Sequence, residues 1–417
     1  MSPPEPTPSR RPLRSRWARF ALVAGPGMVV MLADTDAGSI ITAAQSGAQW
    51  SYRLLLLQLV LVPILFIVQE LTVRLGVVSR KGHGELIREQ YGSFWAWVSV
   101  GTLVIACIGA LLSELSGLAG VGLLFGVPAW LTMGLVVAGL TLMAYTGSYL
   151  SVERIAMAIG AFELVFLLVA WQAKPEAHAM ATGALNIPWR DTNYLYLVAA
   201  NIGAVIMPWM VFYQQSAVVE KGLTPEDLPA ARFDTALGAI ITQVIMACVL
   251  VATAATLGVA GKNAALDTVA QIAEAIVPYL GEGTGRILFA LGMTGSALVA
   301  TIVVTLTAAR TLGEVLGLKH SLGYAPREAP WFYGFYTAAL LVGGLIVASG
   351  TNLINLSVGV QVMNALLLPI VLGFLFLLAR RLPEPYRLGR AYAAIVAFVI
   401  LLTAGFGVYA GLAGVMG

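Results

Sequence analysis

Long apolar segments recur along the whole chain, and this feature constrains the fold most strongly. A helix of about 20 predominantly apolar residues crosses the hydrocarbon core of a bilayer. Membrane-spanning strands are about half that length and alternate in polarity, so a β-barrel is excluded. The sequence therefore predicts an all-α polytopic membrane protein. Its eleven predicted spans cover approximately residues 20–48, 54–79, 95–124, 128–148, 154–172, 194–219, 233–260, 285–312, 330–349, 353–379 and 391–413.

The composition excludes several classes of protein. Of the 417 residues, 59% are hydrophobic and 11% are charged, whereas roughly 25% are charged in a soluble domain. A soluble enzyme, a disordered chain and a nucleic-acid-binding protein are therefore ruled out. No nucleotide-binding loop and no nucleophile with its partners is present, so the chain is not predicted to be an enzyme and no cofactor is expected. The lipid bilayer is its expected partner, and no obligate protein partner is inferred.

The positive charges predict how the chain is oriented in the membrane. If the N-terminus is cytoplasmic, 19 of the 24 Lys and Arg residues fall on the cytoplasmic side. Such an excess is what the positive-inside rule describes. We therefore predict a cytoplasmic N-terminus and an external C-terminus, in a bacterial inner membrane. The five residues on the opposite side are Arg53, Lys174, Arg190, Lys262 and Arg286.

The first span is interrupted by polar residues. Asp34 and Asp36 lie in the segment ADTDAGS, which begins at Ala33, and Asp, Thr, Gly and Ser are poor helix formers. Two carboxylates spaced i, i+2 point to nearly opposite sides of a regular helix, so they converge only if the backbone unwinds. Unwound backbone at membrane depth is tolerated where it is buried or lines a wet cavity.

A second interruption is predicted in the sixth span, at Pro208 in the segment AVIMPWM. Proline lacks an amide hydrogen and frees a carbonyl in the preceding turn. Spans one and six occupy matching positions in two halves of five helices. Paired interrupted helices of this kind indicate the binding site of a secondary transporter.

Interhelical hydrogen bonding alone is sufficient to explain each of the other polar residues in the spans. They are Gln69, Glu70, Glu114, Glu163, Gln243, Gln361 and Asn364.

Four segments resemble the natural resistance-associated macrophage protein (NRAMP) family of divalent-metal transporters. QELTVRLGVVSRKGHGELIREQY, from Gln69, is similar to that family's second helix and following loop. DAGSIITAAQSGAQWSY, from Asp36, is similar to its first-helix DPGN signature. GAVIMPWMVFYQQS, from Gly203, aligns with its sixth-helix G-A-T-V-M-P-H-N segment, and VQVMNALLLP, from Val360, is similar to its tenth-helix run.

The resemblance implies a LeuT-type fold with two inverted five-helix repeats, an eleventh helix, and broken helices 1 and 6. The expected division is a disordered basic cytoplasmic tail at 1–18, repeats at 19–172 and 194–380 joined by an external loop at 173–193, and the eleventh helix with the C-terminus at 381–417.

The resemblance also implies a set of metal-site residues. Asp36 matches the family's metal-binding aspartate, Met207 its thioether ligand and Ala204 the residue whose carbonyl faces the ion. Ser39 stands where the family has asparagine, and Gln361 matches a tenth-helix glutamine that approaches the ion. Glu114 lies close to a third-helix acid that the family links to proton movement.

The chain departs from the family pattern at several of these positions. The proline and asparagine of DPGN are replaced by Ala37 and Ser39, and Trp209 and Gln214 replace the two sixth-helix histidines. An additional acid, Asp34, is either a further site carboxylate or a structural hydrogen-bond acceptor. This pattern resembles that of the NRAMP-related magnesium transporters. The resemblance implies that Gln214, Trp209 and Glu114 lie around the metal site and its bound water.

Two arguments connect the departures to magnesium. The loss of the histidines removes the side chain that titrates most readily near neutral pH, so we expect uptake driven by the membrane potential without obligatory proton coupling. Carboxylate, hydroxyl and carbonyl oxygens suit Mg²⁺, whereas a thioether suits softer metals. The serine leaves room for a partly hydrated ion. Mn²⁺ is expected as a second substrate.

Alternatives remain open at this stage. Met207 is either a retained soft ligand or an apolar lining residue, as methionine commonly is. If it is a ligand, the chain is a proton-coupled Mn²⁺ or Fe²⁺ symporter. A channel or sensor on the same scaffold, and a carrier for an organic cation facing Trp209, are the other hypotheses.

Overall fold

In the computed structural model, the described residues are 23, 25–147, 158, 160–258, 265–277, 281–350 and 353–416. The predicted disordered tail at 1–18 lies outside them. Within these ranges the chain contains helices and no strand. The helices are α1 (Pro26–Asp34), α2 (Ala37–Trp50), α3 (Leu55–Ser79), α4 (His83–Tyr91), α5 (Ser93–Leu124), α6 (Ala129–Thr146), α7 (Val165–Gln172), α8 (Ala177–Leu185), α9 (Thr192–Val205), α10 (Pro208–Glu220), α11 (Leu228–Thr253), α12 (Val269–Ile276), α13 (Glu282–Leu316), α14 (Pro330–Ala348), α15 (Leu353–Ala379) and α16 (Arg390–Met416).

The predicted spans are confirmed wherever the structure describes them. Nine helical segments of the described residues are long and apolar enough to cross a membrane. One of them, Ala37–Ser79, covers both the second half of the first predicted span and the second span. The fifth predicted span is described only in part, as a turn of 3₁₀ helix at Ala161–Leu164 followed by α7. The first and sixth spans each consist of two helices, α1 with α2 and α9 with α10.

The predicted break in the first span lies at Thr35 and Asp36, between α1 and α2. Asp36 has an extended backbone, with φ −75° and ψ 172°, and its side chain accepts a hydrogen bond from the amide of Ser39. Asp36 is therefore the N-cap of α2, a position at which aspartate satisfies an otherwise unpaired helical amide. The poor helix formers of this segment thus end one helix and begin the next.

The predicted break in the sixth span lies at Ile206 and Met207, between α9 and α10. Pro208 is the first residue of α10, where its missing amide hydrogen has no cost because the first helical amides lack partners in any case. Met207 is extended, with φ −89° and ψ 138°. Proline therefore starts the second half of this span and does not merely kink it.

The helices α9 and α15 approach each other so closely at Gly203 that their backbones are in contact. A Cβ added to Gly203 would lie 1.8 Å from the carbonyl oxygen of Gln361 and 2.7 Å from the amide nitrogen of Ala365. Small residues permit such close approach of helices in membranes. The contact brings Ala204, which follows Gly203, next to the helix that carries Gln361.

The beginning of α1 is held by a side chain from another helix. One oxygen of Asp234, on α11, accepts hydrogen bonds from the amides of Gly25 (3.3 Å), Gly27 (2.8 Å) and Met28 (3.3 Å). The first amides of a helix have no partner within it, and a carboxylate there also interacts favourably with the helix dipole. Asp234 therefore attaches the N-terminal end of α1 to α11.

We expect Asp234→Ala to release this end of α1. Loss of a capping carboxylate costs about 1–2 kcal/mol, which corresponds to amide hydrogen exchange about tenfold faster at Gly25, Gly27 and Met28. Hydrogen exchange measured by mass spectrometry tests this. Asp191→Ala is the matched control, because Asp191 caps α9 through the amides of Asn193 and Tyr194. Unchanged exchange at 25–28 in Asp234→Ala would contradict the assigned contact.

Candidate metal-binding site between the two helix breaks

The two breaks meet through a hydrogen bond. The hydroxyl of Ser39, in the first turn of α2, donates to the carbonyl oxygen of Ala204 at 3.0 Å. Ala204 lies in the last turn of α9, where carbonyl groups lack helical partners. Both residues are buried. A serine in place of the family's asparagine thus bridges the two interrupted spans directly.

The carboxylate of Asp36 lies at this junction. Its Oδ1 accepts a hydrogen bond from the amide of Ser39 at 2.6 Å, whereas its Oδ2 is buried without a hydrogen-bond partner. A buried charged oxygen without a partner is energetically costly. The free oxygen of Asp36, which lies at the junction of the two breaks, is therefore a candidate for binding a cation.

Glu114, on α5, is part of the same junction. Its Oε2 accepts a hydrogen bond from the amide of Ala37 at 2.9 Å. Ala37 directly follows Asp36 in the chain, so this bond brings the two buried carboxyl groups close together. A cation bound at Asp36 would therefore also interact with the charge of Glu114.

Gln361 brings α15 to the site. A Cβ added to Gly38 would lie 2.3 Å from Nε2 of Gln361 and 2.5 Å from the hydroxyl of Ser113, so both side chains contact the first turn of α2. The amide of Asn364 donates to Oε1 of Gln361 at 2.9 Å. From the sequence, interhelical hydrogen bonding alone is sufficient to explain Asn364. In the structure, this residue orients the side chain of Gln361, a candidate ligand.

The sulfur of Met207 faces a neighbouring donor. The indole nitrogen of Trp209 lies 3.2 Å from Sδ of Met207, and both side chains are fully buried. Gln214 lies further along α10, where its amide donates to the hydroxyl of Thr235 at 3.0 Å. Gln214 is six positions after Pro208, which is about 9 Å along the helix axis. Met207 and Trp209 therefore belong to the junction, and Gln214 lies beside α11.

Asp34 and Glu163 extend the acidic character of the first break. All four of their carboxyl oxygens are buried without a hydrogen-bond partner. Gly160, three residues before Glu163, packs closely against Leu32 of α1, which brings Glu163 towards the first break. Sequence reasoning did not assign Glu163 to the site, although an acid in an apolar span without a neighbouring base was a signal for it.

The candidate ligands are mixed in chemistry and closed off from solvent. Within the part of the chain that the structure describes, no group of three or more His, Cys, Asp and Glu side chains could hold a metal ion. A metal at the junction would instead combine one carboxylate with hydroxyl, carbonyl and amide oxygens and the thioether. Asp36, Ser39, Ala204, Met207 and Gln361 are each at most 1% exposed, which is an occluded arrangement.

His83 lies outside the predicted spans, in α4. Its Nδ1 is 2.9 Å from Oε1 of Gln215, and burial lowers the pKa of His83 to about 4. The imidazole is therefore neutral near neutral pH, because the solution pH is well above this pKa.

Comparison with known proteins identifies the family. Residues 27–413 match the family model described as Nramp, natural resistance-associated macrophage protein-like. The divalent metal cation transporter MntH of Yersinia pestis (strain Pestoides F) is 30% identical over 316 residues, which cover 72% of this chain and 73% of MntH. Metal transporter Nramp6 of Arabidopsis thaliana is 29% identical over 219 residues, 50% of this chain and 41% of Nramp6.

Solved structures show the same fold. A manganese transporter of Eremococcus coleocola superimposes with a TM-score of 0.78 at 20% identity, covering 98% of this chain and 90% of that one. Mhp1, a nucleobase-cation-symport-1 family transporter in a closed conformation, gives a TM-score of 0.56 at 16% identity, with 94% and 92% covered. The LeuT-type fold with broken first and sixth helices, expected from the resemblance, is confirmed. The chain belongs to the NRAMP family, whose members are membrane transporters and not enzymes.

Proposed function

We propose that this protein imports a divalent metal cation, principally Mg²⁺ and also Mn²⁺, by alternating access through the junction of the two broken spans. The observation that carries the proposal is the unpartnered buried oxygen of Asp36 beside the bonded pair Ser39 and Ala204. A carboxylate, a hydroxyl and a carbonyl are hard oxygen donors. The relatives named as divalent metal cation and manganese transporters support the substrate class.

The size and chemistry of the donors support a hydrated ion. Mg²⁺ dehydrates reluctantly and keeps several waters when it is bound by one or two carboxylates. Serine at position 39 is shorter than asparagine, and its hydroxyl bonds to Ala204. Gln361 has a free amide Nε2, which can donate to a metal-bound water but cannot bind a metal ion. The amide is therefore suited to the hydration shell.

The energetic part of the proposal is uptake driven by the membrane potential. Transfer of a divalent cation is favoured by about 4.6 kcal/mol per 100 mV, since each charge contributes about 2.3 kcal/mol. The positions of the two sixth-helix histidines are held by Trp209 and Gln214, and neither side chain titrates. The inward direction assumes a cytoplasmic N-terminus and a bacterial inner membrane, which the distribution of Lys and Arg supports.

A second candidate function is proton-coupled symport of Mn²⁺ or Fe²⁺. The proximity of Glu114 to Asp36 favours it, because the charge of a metal bound at Asp36 would expel a proton held by either buried carboxyl group. Met207 at the junction also favours a softer metal. The two functions differ in whether a proton accompanies the ion.

Proteoliposomes with a clamped potential distinguish the two functions. We expect Mg²⁺ to enter under an inside-negative potential without internal acidification, as reported by paired Mg²⁺ and pH dyes. The potential at which net flux stops should shift by about 30 mV per tenfold Mg²⁺ gradient, as for any transfer of two charges. A pH gradient of one unit should leave it unchanged. Mn²⁺ entry with acidification and no Mg²⁺ entry would reject the proposal in favour of the symporter.

Glu114→Gln serves as the matched variant in this assay. It keeps the shape of the side chain and removes the group that could carry a proton. In an uncoupled transporter, the charge moved per ion is the same in Glu114→Gln and in the unmodified protein. A change in that ratio would show that Glu114 moves a proton with the metal.

A further inference from the structure

The contact between Trp209 and Met207 has a chemical consequence for metal selectivity. The indole Nε1 lies 3.2 Å from Sδ, well within the range of a hydrogen bond to sulfur. Both residues are 0% exposed. Met207 is the extended residue before Pro208, and Trp209 is the second residue of α10, so the local backbone places the indole edge beside the thioether.

The buried indole N–H of Trp209 requires a hydrogen-bond acceptor. Tryptophan is a donor only, and a buried indole N–H ordinarily finds an acceptor because leaving it unpaired is costly. The acceptor in this structure is the sulfur of Met207. This hydrogen bond engages one of the two lone pairs of the sulfur and draws electron density from it, so the sulfur becomes a weaker ligand for a metal ion.

We propose that Trp209 is a specificity-determining residue, whose indole N–H weakens the sulfur of Met207 as a ligand for soft divalent metals. Loss of the bond leaves the carboxylate, hydroxyl and carbonyl oxygens unchanged and makes the thioether a stronger donor. Thioethers prefer softer ions, whereas oxygen donors suit Mg²⁺. The inference rests on the proposed site at the junction and explains how Met207 can lie there without making the site soft.

The steric effect of the large indole is separate from the effect of its hydrogen bond, and the two effects predict different results. Trp209 is among the largest fully buried side chains of the described residues, so removing it also changes the volume near the site. A volume effect would act on all ions and would not depend on the sulfur. The hydrogen-bond effect requires Met207 to be present.

A double-mutant cycle separates these effects. Trp209→Phe removes the N–H and keeps an aromatic ring, Met207→Leu removes the sulfur, and the double variant removes both. Two quantities are measured in proteoliposomes at a fixed potential: the Cd²⁺ concentration that halves Mg²⁺ uptake, and the KM for Mg²⁺. A lower ratio of the first to the second means a stronger preference for Cd²⁺. We expect Trp209→Phe to increase preference for Cd²⁺ by about three- to tenfold, the equivalent of one ordinary hydrogen bond.

The expected increase should be absent when Trp209→Phe is introduced into Met207→Leu. An unchanged preference in the single variant, or an equal increase in both backgrounds, would overturn the proposal. If Trp209→Phe is not recovered as folded protein, Trp209→Leu provides the same comparison, since it also lacks the N–H. If the protein carries Mn²⁺ and not Mg²⁺, the proposed function fails, but the cycle still tests Trp209 with Mn²⁺ as the transported ion.

Discussion

Asp36→Asn is expected to abolish divalent metal uptake while the protein remains folded. Asparagine is nearly isosteric with aspartate and is equally effective as an N-cap, so the hydrogen bond to the amide of Ser39 and the start of α2 should persist. What is lost is the one negative charge in direct contact with the proposed ion. Leaving a buried charge without its partner costs about 3–5 kcal/mol, which corresponds to a loss of about two to four orders of magnitude in affinity.

Uptake of Mg²⁺ and Mn²⁺ into proteoliposomes, together with the thermal unfolding midpoint, tests this prediction. Asp34→Asn is the matched control, since Asp34 is equally buried and lies two residues away in the same break. It should reduce the apparent affinity by less than about tenfold, because Asp34 would act on the ion only through their charges. Wild-type uptake by Asp36→Asn would show that the ion is bound elsewhere. Equal loss in both variants would show that the two carboxylates bind it together.

Local sequence signals were sufficient to locate the two breaks. A polar segment of poor helix formers around Asp36 and a proline at 208 are short-range features, and their effect on the backbone does not depend on distant contacts. The structure places the breaks at Thr35 and Asp36 and at Ile206 and Met207. The resemblance supplied what local rules could not, namely that Ser39 from one break and Ala204 from the other belong to one expected metal site.

The contacts that the sequence did not predict are those between distant side chains. Asp234 caps a helix about 200 residues earlier in the chain, and no local pattern indicates such a cap. Glu163 approaches the first break because Gly160, just before its 3₁₀ turn, packs against Leu32 of α1. The bond from Trp209 to Met207 depends on one particular combination of side-chain conformations. Hydrophobic periodicity and motif spacing carry no information on which buried polar groups pair with each other.

The contact between α9 and α15 is expected to be the position most sensitive to a small change in volume. A Cβ on Gly203 would lie 1.8 Å from the carbonyl oxygen of Gln361, and that oxygen belongs to the backbone, so it cannot move without shifting the helix. We therefore expect Gly203→Ala to lower the free energy of unfolding by about 3 kcal/mol, at the upper end of the usual cost of overpacking. The shift would also move Ala204 and Gln361 apart, so any protein that folds should bind metal less tightly.

Gly373→Ala is the matched control for this substitution, because Gly373 lies within α15 and a Cβ there meets no atom within 4 Å. Alanine is favoured over glycine inside a helix by about 1 kcal/mol, so this variant should be at least as stable as the unmodified protein and transport at the same rate. The unfolding midpoint in detergent, the yield of monodisperse protein and the apparent Mg²⁺ affinity of each variant test both effects. If Gly203→Ala is as stable and active as Gly373→Ala, the close approach of α9 and α15 is contradicted, and the position of Gln361 at the site with it. If Gly203→Ala is destabilised but retains full affinity, α9 and α15 hold the fold together without setting the distance between Ala204 and Gln361.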